Sequence, residues 1–281
     1  MPATDNVIAT YAAYLARRLS ASSIPQYLNV VRLLHVEAKV DNPCQSWTVK
    51  STVRGIARLL GNPANRKTPV LPQLLLDMYK SLYLLDPLDA MFWAASLVLF
   101  FGTFRKSNLF PDNASPSERH FKRSDFVLLS NGCMMLKVKW SKTIQCQERS
   151  FEVLLPKIDH LLCPVQAVTH AFALVPLPCS SPAFVQDLAG TPLTGALFNK
   201  MFKCVLQKCG RDPRQFSSHS FRRGSATWAL QCGVPGEVVK LMGDWKSTVY
   251  LKYLDNIPMS VLHHYRRLVT ASLPVSSTPH C

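Results

Sequence analysis

The chain has 281 residues, 48% of them hydrophobic, with 32 Lys and Arg against 17 Asp and Glu, a formal charge of +15. That length accommodates one large domain or two ordinary ones, and the apolar content excludes a disordered chain. So lopsided a charge repels itself unless a polyanion binds it, which ranks nucleic acid first and an anionic membrane surface second, beside the plainer reading of a basic protein kept soluble by its lysines.

Residues 5–61 read as three helices. Ile8, Tyr11, Leu15 and Leu19 recur at helical spacing. A second helix, capped at Ser22 or Ser23 with Pro25 in its first turn, carries Leu28, Val31 and Leu34, and a third runs from Thr48 through Val53, Ile56 and Leu60 to a stop at Gly61. The proline-rich "GNPANRKTPVLP" then reads as a linker. Leu71 to Leu84 and Ala90 to Phe101 are predicted helices. The apolar run from Ala90 to Phe104 is too short to span a bilayer comfortably, so it is expected to be a buried helix. In "DFVLLSNGCMMLKVKW" the Asn131-Gly132 pair separates two apolar runs, a hairpin signal, and "RSFEVLLP" supplies a third strand. Helices follow over 164–174, 193–208, 220–232 and 235–242, with a last one from Ser247, and the tail "SLPVSSTPHC" reads as disordered. The fold class expected is mainly α with a small antiparallel β-sheet.

The N-terminus lacks a charged leader followed by an apolar core, so no secretory signal is expected. Nine scattered cysteines, an odd number, argue for reduced thiols inside a cell rather than a disulfide framework. No metal site is expected: Cys204 and Cys209 lack a second pair, and His35, His120, His160, His170, His263 and His264 form no ligand pattern.

The chemistry gathers at basic residues. In "SSHSFRRGSATWALQCG", His219 and Arg222 lie three apart on one helix face, beside Arg223. A cap at Ser217 or Ser218 would put all three at the helix N-terminus, where dipole and free amides already favour an anion, and phosphate is the obvious one. Arg105 closes the buried run in "LFFGTFRKSNLF", Lys142 sits in the turn before the third strand, and Tyr250 and Tyr253 lie three apart near the end. Together these residue types suit metal-free phosphoryl transfer. A tyrosine is only about 0.1% phenolate at neutral pH. It attacks a phosphodiester when a base takes its proton and cations neutralise the developing charge. Arginines grip the non-bridging oxygens, a lysine protonates the departing oxygen, and a histidine accepts or relays the tyrosine proton.

At these residues the sequence resembles the tyrosine recombinase (phage integrase) family, and most of all the recombinases of eukaryotic mobile elements such as Crypton and DIRS-like elements. The resemblance implies a helical core-binding domain over 1–61, a linker over 62–72, an α+β catalytic domain over 73–268 and a flexible tail over 269–281. Its first arginine falls on Arg105, its hairpin lysine on Lys142, its His-x-x-Arg pair on His219 and Arg222, and its nucleophile on Tyr253, ten residues after Gly243. Two positions depart from the pattern. Asp244 directly follows that glycine, where the family has His or Trp, so Trp245 is the candidate for the sixth catalytic position. Asn108 stands three after Arg105, where an acidic residue is common.

The resemblance further implies a site-specific recombinase or integrase that uses a 3′-phosphotyrosine intermediate with no metal or nucleotide cofactor. Its partners would be double-stranded DNA and three further copies of itself, with "PMSVLHHYRRLVTASL" the candidate exchanged segment. The location would be intracellular, nuclear in a eukaryote, with no membrane partner. Basic residues between 17 and 67 are the expected phosphate contacts. Two other readings stay open. The stretch "ATWALQCGVPGEVVKLMG" has helix-turn-helix spacing, as in a non-catalytic DNA-binding protein or a decayed element. A topoisomerase-like enzyme would use the same phosphotyrosine chemistry.

Overall fold

A computed structural model of the chain describes residues 2–61, 67–115, 118–140 and 151–245. The chain divides into two compact units, Met1–Arg66 and Lys67–Cys281.

The first unit consists of α1 (Asp5–Leu15), α2 (Ile24–Glu37) and α3 (Trp47–Leu60). Thr4 and Ser46 cap α1 and α3 by accepting from Val7 N and Val49 N. Ile8, Ala12, Leu15, Leu28, Val49 and Ile56 form its core. On α2 the buried stripe is Ile24, Leu28 and His35, while Leu34, expected in the core, is 58% exposed. His35 takes that place because its ring is satisfied at both nitrogens: Nε2 accepts from Ala3 N at 3.0 Å and Nδ1 pairs with Val31 O at 2.8 Å. Ser23 occupies the α2 cap position, but its hydroxyl pairs with Ser20 at 2.9 Å instead of capping.

The second unit is built round α5 (Pro87–Phe101), whose residues Ala90 to Phe100 are all buried. A helix apolar on every side has to sit inside, and α5 packs against α7 (Pro164–Leu174) and α9 (His219–Gln231). Among the described residues no helix is long and apolar enough to cross a membrane. Before α5 comes α4 (Pro72–Lys80), which stops four residues short of its predicted end; after it comes the short α6 (Lys106–Leu109). The sheet has three antiparallel strands in the order β1 (Phe126–Leu128), β2 (Met134–Val138), β3 (Phe151–Leu155), with Phe126 opposite Leu136 and Leu136 opposite Val153. Its first hairpin turns where Asn131-Gly132 predicts: Gly132 has φ +79° and the Asn131 side chain accepts from Cys133 N at 3.0 Å. The segment 141–150 between β2 and β3, with Lys142 in it, lies outside the described residues. The unit is completed by α8 (Gly195–Lys208), which Thr194 caps, and α10 (Gly236–Met242). The mainly helical fold with a small antiparallel sheet is the one the sequence predicts.

Residues 67–71, read from sequence as linker, are bound into the second unit. Thr68 N donates to Gln215 O at 2.7 Å, Val70 N donates to Ser220 O at 2.9 Å, and Val70 is fully buried. They lie so close to α9 that a Cβ on Gly224 would collide with the Val70 backbone. Gly224→Ala is therefore expected to cost about 2–3 kcal/mol, because backbone cannot yield as a side chain can. Gly55→Ala, in the middle of α3 with nothing within 4 Å, should add about 0.5–1 kcal/mol. Urea unfolding of the two variants beside the parent chain measures both.

Candidate functional site

Two helix ends build the site. Helix α5 stops in a Schellman turn: Phe104 N reaches back to Leu99 O at 3.1 Å, Thr103 N reaches Phe100 O at 3.2 Å, and Thr103 holds the left-handed position with φ +48°. Helix α10 stops the same way, with Trp245 N on Lys240 O at 3.0 Å, Asp244 N on Leu241 O at 3.1 Å, and Asp244 at φ +47°. The two stops read Gly102-Thr103-Phe104 and Gly243-Asp244-Trp245. In the second, the indole folds back over Gly243 so tightly that a Cβ there would run into the ring. Three non-glycine residues have positive φ among the described residues, Lys39, Thr103 and Asp244, and two of them are these turn positions.

Arg222 lies between the two stops, only 3% exposed. Its Nη1 donates to the Thr103 carbonyl and its Nη2 to the Gly243 carbonyl at 2.5 Å. The guanidinium carbon stands 4.3 Å from the centre of the Trp245 ring, itself 7% exposed. Trp245 thus touches Arg222 directly, while Asp244 takes the left-handed position that a short polar side chain tolerates.

The α5 stop also delivers Arg105, one residue beyond the buried Phe104 and at the start of α6. Asn108 fixes that start: its side-chain oxygen accepts from Arg105 N at 3.0 Å, and its amide donates to Trp140 O at 3.3 Å. Arg105, Asn108, Phe151, Arg222, Gly243 and Asp244 line one cleft. Trp140 and Phe151, the residues that bracket the segment with Lys142, therefore both reach this neighbourhood.

Helix α9 begins differently from expectation. Ser218 sits at the cap position in helical conformation and makes no side-chain cap bond; Ser220 instead folds back, its hydroxyl accepting from Ser217 N at 3.0 Å. Arg223, read from sequence as a surface charge or backbone contact, is 6% exposed and donates to the Lys67 carbonyl. His219 has much of its surface open, yet its imidazole is held down to a pKa of about 4 from 6.5, first by burial of the ring within its surroundings and then by the positive charges of Arg222, Arg105 and Arg223. Those four side chains are thus close enough to act on one another. His219 is therefore neutral at pH 7.

The structure brings together Arg105, His219, Arg222 and Trp245. Lys142, Tyr250 and Tyr253 lie outside the described residues. Among the described residues no His, Cys, Asp and Glu group suits a metal ion. Sequence reading missed Thr103 and marked Asn108 only as a departure bearing on how the arginine or histidine is held; the signal available for Thr103 was the repeated Gly-x-aromatic pattern at two helix ends.

Because the folded chain resists protonating His219 and the unfolded chain does not, the residue's contribution to stability is complete above about pH 6.5 and is lost as pH falls to about 4. An NMR titration of the His219 ring should give a midpoint near 4 in the free protein, moving upward when an oligonucleotide duplex supplies phosphate charge. A midpoint near 6.5 without DNA would mean that neither the burial of the ring nor the three guanidinium groups act on it as the structure places them.

No family model matches the chain. An integrase/recombinase xerD homolog of Selenomonas ruminantium is 25% identical over 243 residues, 82% of this chain and 67% of that protein. The Tn1549 transposon integrase, solved in complex with a circular intermediate DNA, superposes with a TM-score of 0.65 at 13% identity, over 94% of this chain and 85% of its own. The XerH site-specific recombinase, solved bound to a palindromic difH substrate after cleavage, gives 0.64 at 17% identity, over 96% and 71%. The structural likenesses show that the chain shares the fold of these recombinases, and the sequence relative is a recombinase homolog.

Proposed function

We propose that this protein is a site-specific DNA recombinase that cuts and rejoins strands through a 3′-phosphotyrosine intermediate. The observation that carries the reading is that Arg105 and Arg222 line one cleft, with His219 within electrostatic reach of both, in a fold shared with an integrase and a recombinase solved on DNA. Arg105 and Arg222 grip the non-bridging oxygens of the scissile phosphate; by comparison with deleted oxyanion-hole donors, each supplies two to three orders of magnitude, roughly, in rate. Trp245 backs Arg222 and keeps its fork aimed. Tyr253 attacks phosphorus as its proton passes to neutral His219, and Lys142 protonates the leaving 5′-oxygen. The bond energy is kept in the phosphotyrosine link, so a second 5′-hydroxyl reverses the step on a new partner without metal or nucleotide.

The same reading makes the first unit a DNA clamp whose basic residues neutralise phosphates, and the working form a homo-tetramer on paired sites that exchanges the segment after residue 257. The Gly-Asp-Trp turn fits the mobile-element recombinases of eukaryotes, for which the nucleus is the place of work. A helix-turn-helix regulator fits less well. Arg222 and Arg223 of α9 face inward, and α10 turns Val238 and Leu241 outward rather than basic side chains.

Tyr253→Phe is expected to keep DNA affinity and lose covalent trapping on nicked duplexes built from the DNA that flanks the coding region. Trapping that survives in Tyr253→Phe and vanishes in Tyr250→Phe would move the nucleophile. Binding without trapping by the unaltered chain would favour the non-catalytic DNA-binding protein. Affinity should fall steeply with salt, since each neutralised phosphate releases counterions; a flat salt response would remove DNA as the partner.

A further inference from the structure

The two helix stops are joined by one side chain. Thr103 gives its carbonyl to Arg222, and its hydroxyl donates to Met242 O at 2.5 Å, filling one of the α10 terminal carbonyls that helix geometry leaves open. The residue is 1% exposed. It stands at φ +48°, in a turn position where glycine is the ordinary choice and a β-branched residue is a strained one. Nothing about stopping α5 calls for a threonine; glycine would do it with less strain. A strained residue that is fully buried and bonded at both ends needs a reason beyond local structure.

The geometry points to Thr103 as a positioning residue, which locks the ends of α5 and α10 together so that the Arg222 guanidinium and the Arg105 backbone are presented to the same phosphate. This rests on the recombinase reading for its consequence, but the lock itself is a property of the free protein. The carbonyl holds Arg222 from the α5 side, the Gly243 carbonyl holds it from the α10 side, and the hydroxyl fixes the distance between the two. Loss of the hydroxyl leaves each stop intact while freeing one to drift from the other. An arginine fork aimed by two separate carbonyls then loses its register.

Three variants test it. Thr103→Gly removes strain and hydroxyl together, Thr103→Val keeps the shape and removes the hydroxyl, and Thr103→Ser keeps the hydroxyl. The first readout is the NMR titration of His219, on which the charges of Arg222 and Arg223 of α9 and of Arg105, just before α6, act. Thr103→Gly and Thr103→Val should move its midpoint upward as Arg222 drifts, and Thr103→Ser should hold it near the parent value. The second readout is covalent trapping on nicked flanking DNA. Glycine and valine should slow it about ten- to a hundredfold at unchanged DNA affinity, and serine should restore it. A residue needed only for folding gives a different pattern: the glycine variant, relieved of strain, would then be as stable and as fast as the parent. Should the valine variant fail to fold, the glycine variant decides, because glycine is at home in this turn. An unmoved His219 midpoint in the glycine variant overturns the proposal. If the parent chain never traps DNA, the recombinase reading falls, and the His219 comparison still decides the role of Thr103.

Discussion

Arg222 sits where two helices run out, and that placement is the constraint on which the site depends. The C-terminal end of a helix carries partial negative charge on carbonyls with no partner in the helix. Here α5 and α10 point such ends at one buried guanidinium, through Thr103 and Gly243. Hydrogen bonds to a charged group contribute about 1.5–3 kcal/mol each, and a favourable helix end adds 0.3–1 kcal/mol, roughly, and more when partly buried. Carbonyls differ from carboxylates in a way that matters for function: they orient the guanidinium without cancelling its charge. A fork held in this manner keeps its field for an incoming phosphate.

The rest of the site follows from how the two helices stop. The α5 turn that supplies a carbonyl to Arg222 also sets Arg105 at the head of α6, and Asn108 pins that head to Trp140 beside the sheet. The α10 turn folds Trp245 back onto Gly243 and under Arg222. Arg223, one residue along α9, faces another way and secures Lys67, so the entry of the chain into the second unit is tied to the same helix. His219 is left at the rim, held neutral first by burial of its ring and then by these cations.

Much of this was legible in the sequence, for identifiable reasons. The α5 core position followed from an unbroken apolar run, the hairpin from Asn131-Gly132, and the His219–Arg222 pairing from helical spacing. What stayed hidden depends on contacts made across the fold. The serines before α9 looked like caps, yet Ser220 does the work by folding back on Ser217. Leu34 carried a helical apolar spacing, but the stripe on α2 rotates toward His35, whose ring finds partners at both nitrogens. Residues 67–71 have a linker's composition yet donate backbone hydrogen bonds to Gln215 and to Ser220 of α9, which proline content cannot reveal. Of Thr103 the sequence shows only the Gly-x-aromatic pattern shared with residues 243–245; its hydroxyl bond to a residue 139 positions away leaves no local trace.

The central claim is that these guanidinium groups exist to neutralise one phosphate. It is tested most directly by removing the charge from the phosphate instead of from the protein. A duplex with a single neutral methylphosphonate at the cleavage position should be cut by the Arg222→Ala variant nearly as fast as by the parent chain, although that variant fails on ordinary DNA. If Arg222→Ala stays equally crippled on both substrates, Arg222 serves something other than the phosphate charge, and this account of the site is contradicted.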